Sequence, residues 1–360
     1  MKVCIIGNGL VSLTLANVLI KKELAVDIFI NKKKIKPNKY RTLGISKSNI
    51  DYFNVDVMEI GKILWKINKI KIYTEKNFNQ EILKFDNNNK QIFSIIKNHK
   101  LQELLTSKLK KNVLIKFKTN KVNIDTLKKK YSLIINCDSN HLITKKFFSN
   151  RLEKNYNSYA YTTIINHKKI NDNNTAYQNF TNNGPIAFLP ISETQTSVVY
   201  SLKTKKKDYY PDIKNLIKKY NPIYSITKIY DYSSFELKSS NLRKYYKDNI
   251  LAFGDLLHKI HPLAGQGYNM SIRDIKILSN LINKKIDLGL DIDSSICREF
   301  QKISQDKNYI FSTAIDWVYE FFNFERKISS DFLIKSVNII GKNKTINNFF
   351  KKFADNGIRI

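Results

Sequence analysis

Arginine is scarce in this chain, although basic residues are abundant. Only seven of the 62 Lys and Arg residues are Arg, and the 31 acidic residues leave a net charge of +31. Bidentate contacts to bases and phosphates favour Arg, so a scattered excess of Lys argues against a nucleic-acid-binding protein. We therefore expect no nucleic-acid partner, whereas contact with an anionic membrane surface fits this charge.

Cysteine is equally scarce, with Cys4, Cys137 and Cys297 as its three examples. They form no CxxC motif and no paired spacing, which excludes a disulfide framework and a cysteine-based zinc site. We expect no bound metal and a reducing compartment.

Long apolar runs are also missing. A transmembrane helix needs about 18 consecutive apolar residues, and no run in the sequence approaches that length. The apolar start after Lys2 is interrupted by Gly7, Gly9 and Asn17, which argues against a cleaved signal peptide. The sequence predicts a cytoplasmic protein whose membrane contact, if it has one, is peripheral and on the inner face.

The first 30 residues have the pattern of a β-α-β unit. Residues 2–6 form an apolar run, Gly7-Asn8-Gly9 follows, and apolar residues then recur at helical spacing before a second apolar run at 25–30. In a dinucleotide-binding turn the first Gly permits the sharp bend and the second lets the backbone approach a pyrophosphate. The fingerprint expects an acid after the second strand to bind ribose. Asn31 stands there and can form a hydrogen bond without the charge.

Residues 249–274, NILAFGDLLHKIHPLAGQGYNMSIRD, hold the strongest pattern in the chain. A short apolar strand ends at Gly254 and Asp255, and a Pro- and Gly-rich loop follows it. The pattern turns helical after Gly267. Free N–H groups at such a helix start can bind an anion or an electron-rich oxygen.

This segment resembles the GD…H…P.AGQG.N…..D signature of the FAD-dependent aromatic-ring hydroxylases, the class A flavoprotein monooxygenases. Its PLAGQG motif is most similar to that of the ubiquinone-biosynthesis hydroxylases. Residues 41–53 resemble the R.xALS..S segment of the family, residues 92–109 its V.N..LQ..L helix, and residues 184–202 its GP.A.LPL segment. Residues 131–138 resemble the strand that ends in ADG, with Ser139 in place of the Gly.

The resemblance implies a mixed α/β (α+β) fold, in which a Rossmann-like FAD-binding domain carries an inserted β-sheet substrate domain and is followed by C-terminal helices. We predict a discontinuous FAD-binding domain and a substrate-binding β-sheet domain, followed by a C-terminal helical region. The FAD-binding domain would comprise residues 1–62, 91–150 and 243–300. The substrate domain would comprise residues 63–90 and 151–242, and the C-terminal helical region residues 301–360.

The resemblance also implies an FAD-dependent monooxygenase that hydroxylates the ring of a polyprenylated phenol in ubiquinone biosynthesis, through a flavin C4a-hydroperoxide. NADPH or NADH would be a transient electron donor, and other proteins of ubiquinone biosynthesis would be further partners. The flavin-edge loop would be Pro262, Gly265, Gln266 and Gly267, with no certain acid or base. The cofactor-binding residues would be Gly7, Gly9, Leu10, Asn31, Arg41, Gln102, Asp138, Gly254, Asp255, Gly267, Tyr268 and Asn269.

Two alternatives stay open. One is a flavin hydroxylase for another phenol. The other is a non-catalytic or weakly FAD-binding accessory protein of the same fold, suggested by Asn31, Ser139 and the Leu256-Leu257 pair. His258 and His261 are acid–base candidates, although a core or turn role fits each of them equally well.

Near the C-terminus, residues 298–324 are predicted to form a helix. One face of it would carry Ile310, Ala314, Trp317, Val318 and Phe321. A later stripe of Ile346, Phe349, Phe350 and Phe353 lies beside lysines. It could anchor to an anionic membrane, although such a stripe more often packs on its own protein.

Overall fold

The structure is a computed structural model. It describes residues 2–30, 39–75, 81–86, 90–119, 123–204, 212–262 and 265–327, with side chains up to residue 320. Three features of the sequence lie outside these residues: Asn31, the polar residues 76–79, which predict a turn between two strands, and the apolar stripe at 346–353.

The described residues form eighteen strands. In chain order they are β1 (Lys2–Ile6), β2 (Ala25–Phe29), β3 (Thr42–Ser46), β4 (Trp65–Ile67), β5 (Lys69–Thr74), β6 (Leu83–Asp86), β7 (Phe93–Lys97), β8 (Ile115–Lys118), β9 (Leu133–Asn136), β10 (Arg151–His167), β11 (Thr175–Thr181), β12 (Gly184–Pro190), β13 (Gln195–Lys203), β14 (Ile226–Ile229), β15 (Ser233–Leu242), β16 (Tyr246–Lys247), β17 (Ile250–Ala252) and β18 (His258–Lys259).

Eight α-helices accompany them, together with short helical turns. The helices are α1 (Leu10–Ile20), α2 (Lys47–Tyr52), α3 (Asn98–Lys110), α4 (Ile124–Lys130), α5 (Leu142–Phe147), α6 (Ile213–Lys219), α7 (Gln266–Asp287) and α8 (Ser294–Lys327). Among the helices of the described residues, none is both long and apolar enough to span a membrane.

A six-stranded sheet in the order β16-β17-β9-β1-β2-β8 contains the predicted β-α-β unit. Its five strands from β17 to β8 run parallel, so their carboxyl ends meet at one edge. Helix α1 packs against α3 and α7, and its residues from Ser12 to Ile20 are all buried. The helix is therefore covered nearly all round rather than on one face. The mixed α/β fold with a Rossmann-like sheet is confirmed.

A nine-stranded sheet lies beside it in the order β18-β15-β10-β13-β12-β11-β5-β6, with β14 also paired to β10. The pairings are antiparallel except that of β5 with β11. Residues 159–165, 186–189 and 196–202, whose alternation predicted strands, lie in β10, β12 and β13.

A third sheet of only three strands, β3-β7-β4, joins the other two. The Thr42 hydroxyl is 2.7 Å from that of Ser197 in β13, and β3 also contacts α7. This sheet therefore lies between the six-stranded and nine-stranded sheets.

Asp27 is a buried acid in the middle of β2. Its carboxylate accepts a hydrogen bond from the Tyr131 hydroxyl at 2.6 Å and lies 2.5 Å from the Lys118 ammonium and 3.1 Å from that of Lys2. Burial acts to raise the pKa of Asp27, but the hydrogen bonds from Lys118, Tyr131 and Lys2 hold it below its usual value. The paired charges offset the cost of burying the acid. Lys2 lies on β1, Lys118 on β8 and Tyr131 just before β9, so the Asp27 carboxylate links β2 to three other parts of the sheet.

Helix α8 is where its sequence predicts it, but the predicted apolar face is wrong. Ile310 and Trp317 are 45% and 72% exposed, whereas Phe311, Ile315 and Tyr319 are buried. Apolar residues occur on several sides of this helix, so spacing alone does not say which side faces the protein.

Gly184, the first residue of β12, offers a test of the nine-stranded sheet. Its φ is +137°, and an added Cβ would lie 1.8 Å from the Ser201 carbonyl oxygen. We expect Gly184→Ala to lower the free energy of unfolding by at least about 3 kcal/mol, because strain and overlap with backbone act together. Urea unfolding measures this. Gly61→Ala is the matched control, since an added Cβ there has nothing within 4 Å. Equal stability of the two variants would contradict this packing.

Candidate cofactor site

The carboxyl edge of the six-stranded sheet brings together Gly7, Asp138 and Asp255. Gly7 has a φ of +110°, and an added Cβ would lie 3.6 Å from the backbone N of Asp138. Asp138 follows β9 and Asp255 follows β17, and these strands are adjacent to one another and parallel in the sheet, with β1 next to β9. The carboxyl ends of β1, β9 and β17 therefore form one polar edge.

The start of α1 opens onto this edge. Gly9 precedes the helix, no side chain caps the helix, and its first turn carries no acid. An added Cβ on Gly9 would meet nothing within 4 Å, so there is space before the N–H groups of the turn that begins at Leu10. The Gln102 amide donates to the Asn8 carbonyl at 3.4 Å. Gln102 thus contacts the glycine turn.

Helix α7 begins at Gln266, two residues before the predicted helical pattern, and its N-cap Gly265 is left-handed with φ 63°. No side chain caps this helix start, and Gly267 has open space at its Cβ position. The Gly265 N–H donates to the Pro262 carbonyl at 3.1 Å, so these residues close a turn. An added Cβ on Gly254 would lie 3.0 Å from Val11, which shows that the end of β17 contacts α1.

The Asn269 side chain fastens α7 to β3. Its amide N donates to the Gly44 carbonyl at 2.9 Å. Its amide O accepts from the Ser46 N–H at 3.0 Å and from the Asn49 amide at 2.9 Å. An added Cβ on Gly265 would lie 3.3 Å from the Gly44 N, so the two backbones touch. The resemblance implies that Asn269 binds the cofactor, and it does not point to Gly44. A glycine inside a strand often marks a close approach of another backbone, and this is the feature of the sequence that indicates Gly44.

Two predicted site residues turn their side chains away from the open edge. The Tyr268 hydroxyl is 2.6 Å from that of Thr14 on α1, and Tyr268 is buried. Gln266 is buried too, and its amide O accepts from Arg273 at 3.3 Å. What these positions offer a ligand is backbone N–H. Contact through the backbone N–H groups of 265–269 is what the resemblance implies for this helix start, and it stays a prediction.

Arg41 lies at the start of β3 and is exposed. Its guanidinium carbon is 5.8 Å from the centre of the Phe235 ring on β15, and its carbonyl accepts from the Asn98 N–H at 3.0 Å. The guanidinium therefore lies between β3 and the nine-stranded sheet.

The two histidines of residues 249–274 are both buried. His258 Nε2 lies 2.6 Å from the Asp274 carboxylate, whose other oxygen accepts from the Asn308 amide at 3.0 Å. Burial lowers the pKa of His261 to about 3, an effect opposed by Glu320 and reinforced by Lys154. His261 is therefore neutral near pH 7, and both histidines have structural surroundings rather than an open path to a substrate.

Comparisons with known proteins support this description. Residues 135–287 match the FAD binding domain family. The chain is 28% identical to the mitochondrial ubiquinone biosynthesis monooxygenase COQ6 of Caenorhabditis elegans over 45% of this chain and 46% of that protein. It is 24% identical to COQ6 of Schizosaccharomyces pombe over 63% of this chain and 57% of that protein. The chain thus spans about half the length of the curated relatives it matches.

Solved structures share the whole fold. The p-nitrophenol 4-monooxygenase PnpA of Pseudomonas putida superposes with a TM-score of 0.77 and 12% identity over 99% of this chain and 98% of that one. HpxO of Klebsiella pneumoniae, solved with FAD and uric acid, superposes with a TM-score of 0.74 and 12% identity. That match covers 98% of this chain and 96% of HpxO. At these identities the likeness establishes the fold alone.

The residues present fit FAD. A pyrophosphate needs a backbone that it can approach closely, with unused N–H donors, and the open positions at Gly9 and Gly267 face two uncapped helix starts. A flavin nucleotide also carries hydroxyl groups, for which Asp255 offers an exposed acceptor. FAD is the cofactor that the matching domain family binds.

Asn269 provides a test of how the site is held. We expect Asn269→Ala to lower the free energy of unfolding by about 3 kcal/mol, because it leaves the buried Gly44 carbonyl and Ser46 N–H without their partner. The exposed Asn140→Ala is the control and should change stability by no more than about 0.5 kcal/mol. Chemical denaturation measures the free energy of unfolding of both variants. If Asn269→Ala is as stable as the control, other contacts hold β3 against α7.

Proposed function

We propose, from the premise that this chain belongs to the FAD-dependent aromatic hydroxylases, that it hydroxylates the ring of a polyprenylated phenol in ubiquinone biosynthesis. The observation that carries the proposal is the convergence of two uncapped helix starts and two carboxylates at one sheet edge. The substrate class comes from the names of the curated relatives, which are ubiquinone biosynthesis monooxygenases.

Bound FAD would supply the redox chemistry, accepting electrons from NADPH or NADH, used transiently, and activating O2. The N–H groups at the start of α1, beside Gly7 and Gly9, would hold its pyrophosphate. Asp255 would accept hydrogen bonds from its ribityl or pyrophosphate region, and Arg41 would contact its face or phosphates. Asp138 and Gln102 would complete the binding edge.

The start of α7 would act on the flavin edge. Backbone N–H groups at 265–269 would stabilise negative charge on the N1–C2=O side, since a helix N-terminus carries a partial positive charge. The buried side chains of Gln266 and Tyr268 would fix the helix rather than touch the flavin. Pro262 would border the space where the substrate ring is oxidised.

The substrate ring would lie between β3 and the nine-stranded sheet. Arg41 and Phe235 face one another across this boundary. Next to Arg41 in the chain, the Thr42–Ser197 hydrogen bond joins β3 to β13 and so fixes the distance between them. In this proposal the nine-stranded sheet is the floor of the substrate pocket. The division into an FAD-binding domain and a substrate domain follows from it.

The accessory-protein alternative is not favoured. The residues that suggest it are Asn31, Ser139 and the Leu256-Leu257 pair, of which the two leucines pack in the core. The curated relatives are named monooxygenases, which supports the enzyme instead. A hydroxylase for another phenol has the same site and is distinguished by analysis of its products.

The cofactor assignment is tested by the visible spectrum of the purified protein and by Asp255→Ala. We expect the bands of oxidised flavin in the wild type. A charge-assisted hydrogen bond is worth about 1.5–3 kcal/mol, so loss of the Asp255 carboxylate should weaken FAD binding by roughly 10- to 100-fold.

Asp291→Ala, which removes an exposed carboxylate elsewhere, is the matched control and should bind FAD normally. Unchanged FAD affinity in Asp255→Ala would mean that another residue holds the hydroxyl groups. A wild-type protein without flavin bands that also fails to bind added FAD would overturn the proposed function.

Peripheral membrane contact is the second part of the proposal. A polyprenylated phenol resides in the bilayer, and the net charge of +31 would attract the protein to an anionic surface at about 1 kcal/mol per nearby Lys. The protein would act on the inner face of the membrane, with other proteins of ubiquinone biosynthesis as neighbours. The stripe that contains Phe349 and Phe350 would add apolar anchoring.

Vesicle co-sedimentation tests this contact. We expect reversible binding to anionic vesicles that weakens as salt rises, because the attraction is screened. Phe349→Glu with Phe350→Glu should bind less while keeping its flavin spectrum. Neutral vesicles are the control. Absence of wild-type binding at low salt would exclude electrostatic membrane contact, and normal binding by the double variant would exclude the stripe as the anchor.

A further inference from the structure

We propose that Tyr319 on α8 and His261 are positioning residues, which hold the turn at Pro262 in the place required at the flavin edge. This inference deepens the proposed function and rests on it. It assigns a role in the site to a helix that lies outside the matching FAD binding domain, since that match ends at residue 287 and α8 begins at Ser294.

Three aromatic rings from three elements form one cluster beside the turn. The His261 ring stacks on Tyr319, with centroids 4.3 Å apart and an interplanar angle of 29°. Tyr156 on β10 meets each of them edge-on, with centroids 5.0 Å away in both cases. All three residues are at most 6% exposed. The ring of His261 is therefore enclosed on two sides, directly before Pro262 in the chain.

The same turn of α8 is fixed to the sheet by polar contacts. The Asp316 carboxylate accepts a hydrogen bond from the Tyr156 hydroxyl and another from the Ser239 hydroxyl at 3.4 Å. The Glu320 carboxylate lies 2.9 Å from the Lys154 ammonium. Because these contacts bracket Tyr319, its ring is held where His261 stacks on it.

The turn is then held at both ends. At the far end, Gly265 closes the turn onto the Pro262 carbonyl, and the Asn269 amide fastens Gly265 and Gly44 in place. At the near end, the His261 ring stacks on Tyr319. Loss of the stack should loosen the near end more than the far end, so it should disturb the position of Pro262 while α7 stays in place.

The contacts also argue against acid–base work by His261. Its ring lies between two other rings at 1% exposure, and the groups that face it are Tyr156 and Tyr319, with Glu320 and Lys154 beyond them. A proton relay needs a path to the substrate, whereas a positioning role needs only a rigid ring. We therefore predict that an aromatic ring at position 319 is needed to hold Pro262 in place and that the hydroxyl of Tyr319 is not.

The test compares Tyr319→Leu with Tyr319→Phe in the full-length, FAD-loaded protein. An aromatic pair contributes enough beyond its buried area for a change of up to about tenfold in an equilibrium constant. In Tyr319→Leu we expect FAD binding weakened by roughly three- to tenfold and brighter fluorescence from the bound flavin, because the flavin edge is less firmly enclosed. Tyr319→Phe keeps the stack and should restore both values. Tyr309→Leu is the control, since Tyr309 lies on the exposed side of the same helix at 48% exposure.

Catalytic coupling is the second readout. In Tyr319→Leu, a larger share of the consumed nicotinamide should appear as hydrogen peroxide instead of hydroxylated phenol, with a fall in kcat that exceeds any rise in KM. Unchanged FAD affinity, flavin fluorescence and coupling in a folded Tyr319→Leu would overturn the inference while leaving the proposed function intact. A Tyr319→Phe variant as defective as Tyr319→Leu would overturn it as well. A wild type that binds no FAD would overturn the proposed function and this inference together.

Discussion

The structure depends on one buried amide, that of Asn269. A primary amide can donate two hydrogen bonds and accept two, and Asn269 makes all four, to Gly44, Gly265, Ser46 and Asn49. Its partners belong to β3, to the residue that precedes α7 and to α2. One side chain therefore joins β3 to the start of α7, the two elements between which the proposed function places the flavin edge and the substrate.

This constraint explains why glycine recurs where the two elements meet. With Asn269 drawing β3 towards α7, the Gly265 backbone approaches the Gly44 N so closely that an added Cβ would lie 3.3 Å away. Gly265 also needs its left-handed φ of 63° to start the helix. The N-cap position of the helix consequently carries no side chain. An uncapped helix N-terminus of this kind suits a flavin edge that gains negative charge.

Much of this was predictable from the sequence, and the exceptions have physical causes. The β-α-β start, the helix after the Gly-rich loop and the strands beyond residue 151 followed from apolar periodicity, which reports burial directly. Periodicity does not say what a buried polar group bonds to. The side chains of Tyr268 and Gln266 bond to Thr14 and Arg273, which the spacing of apolar residues could not indicate. The division into domains remains a prediction from the resemblance.

Helix α8 illustrates the same limit at the level of a whole element. Its sequence carries apolar residues on more than one side, so a stripe through Ile310 and Trp317 was as regular as the one that is buried. The structure adds contacts that apolar spacing does not indicate: the Asp316 carboxylate accepts hydrogen bonds from β10 and β15, and Tyr319, three residues further along the helix, stacks on His261. A partly buried carboxylate is costly without such partners. Asp316 therefore favours the face of the helix that provides them, in addition to the apolar residues that pack there.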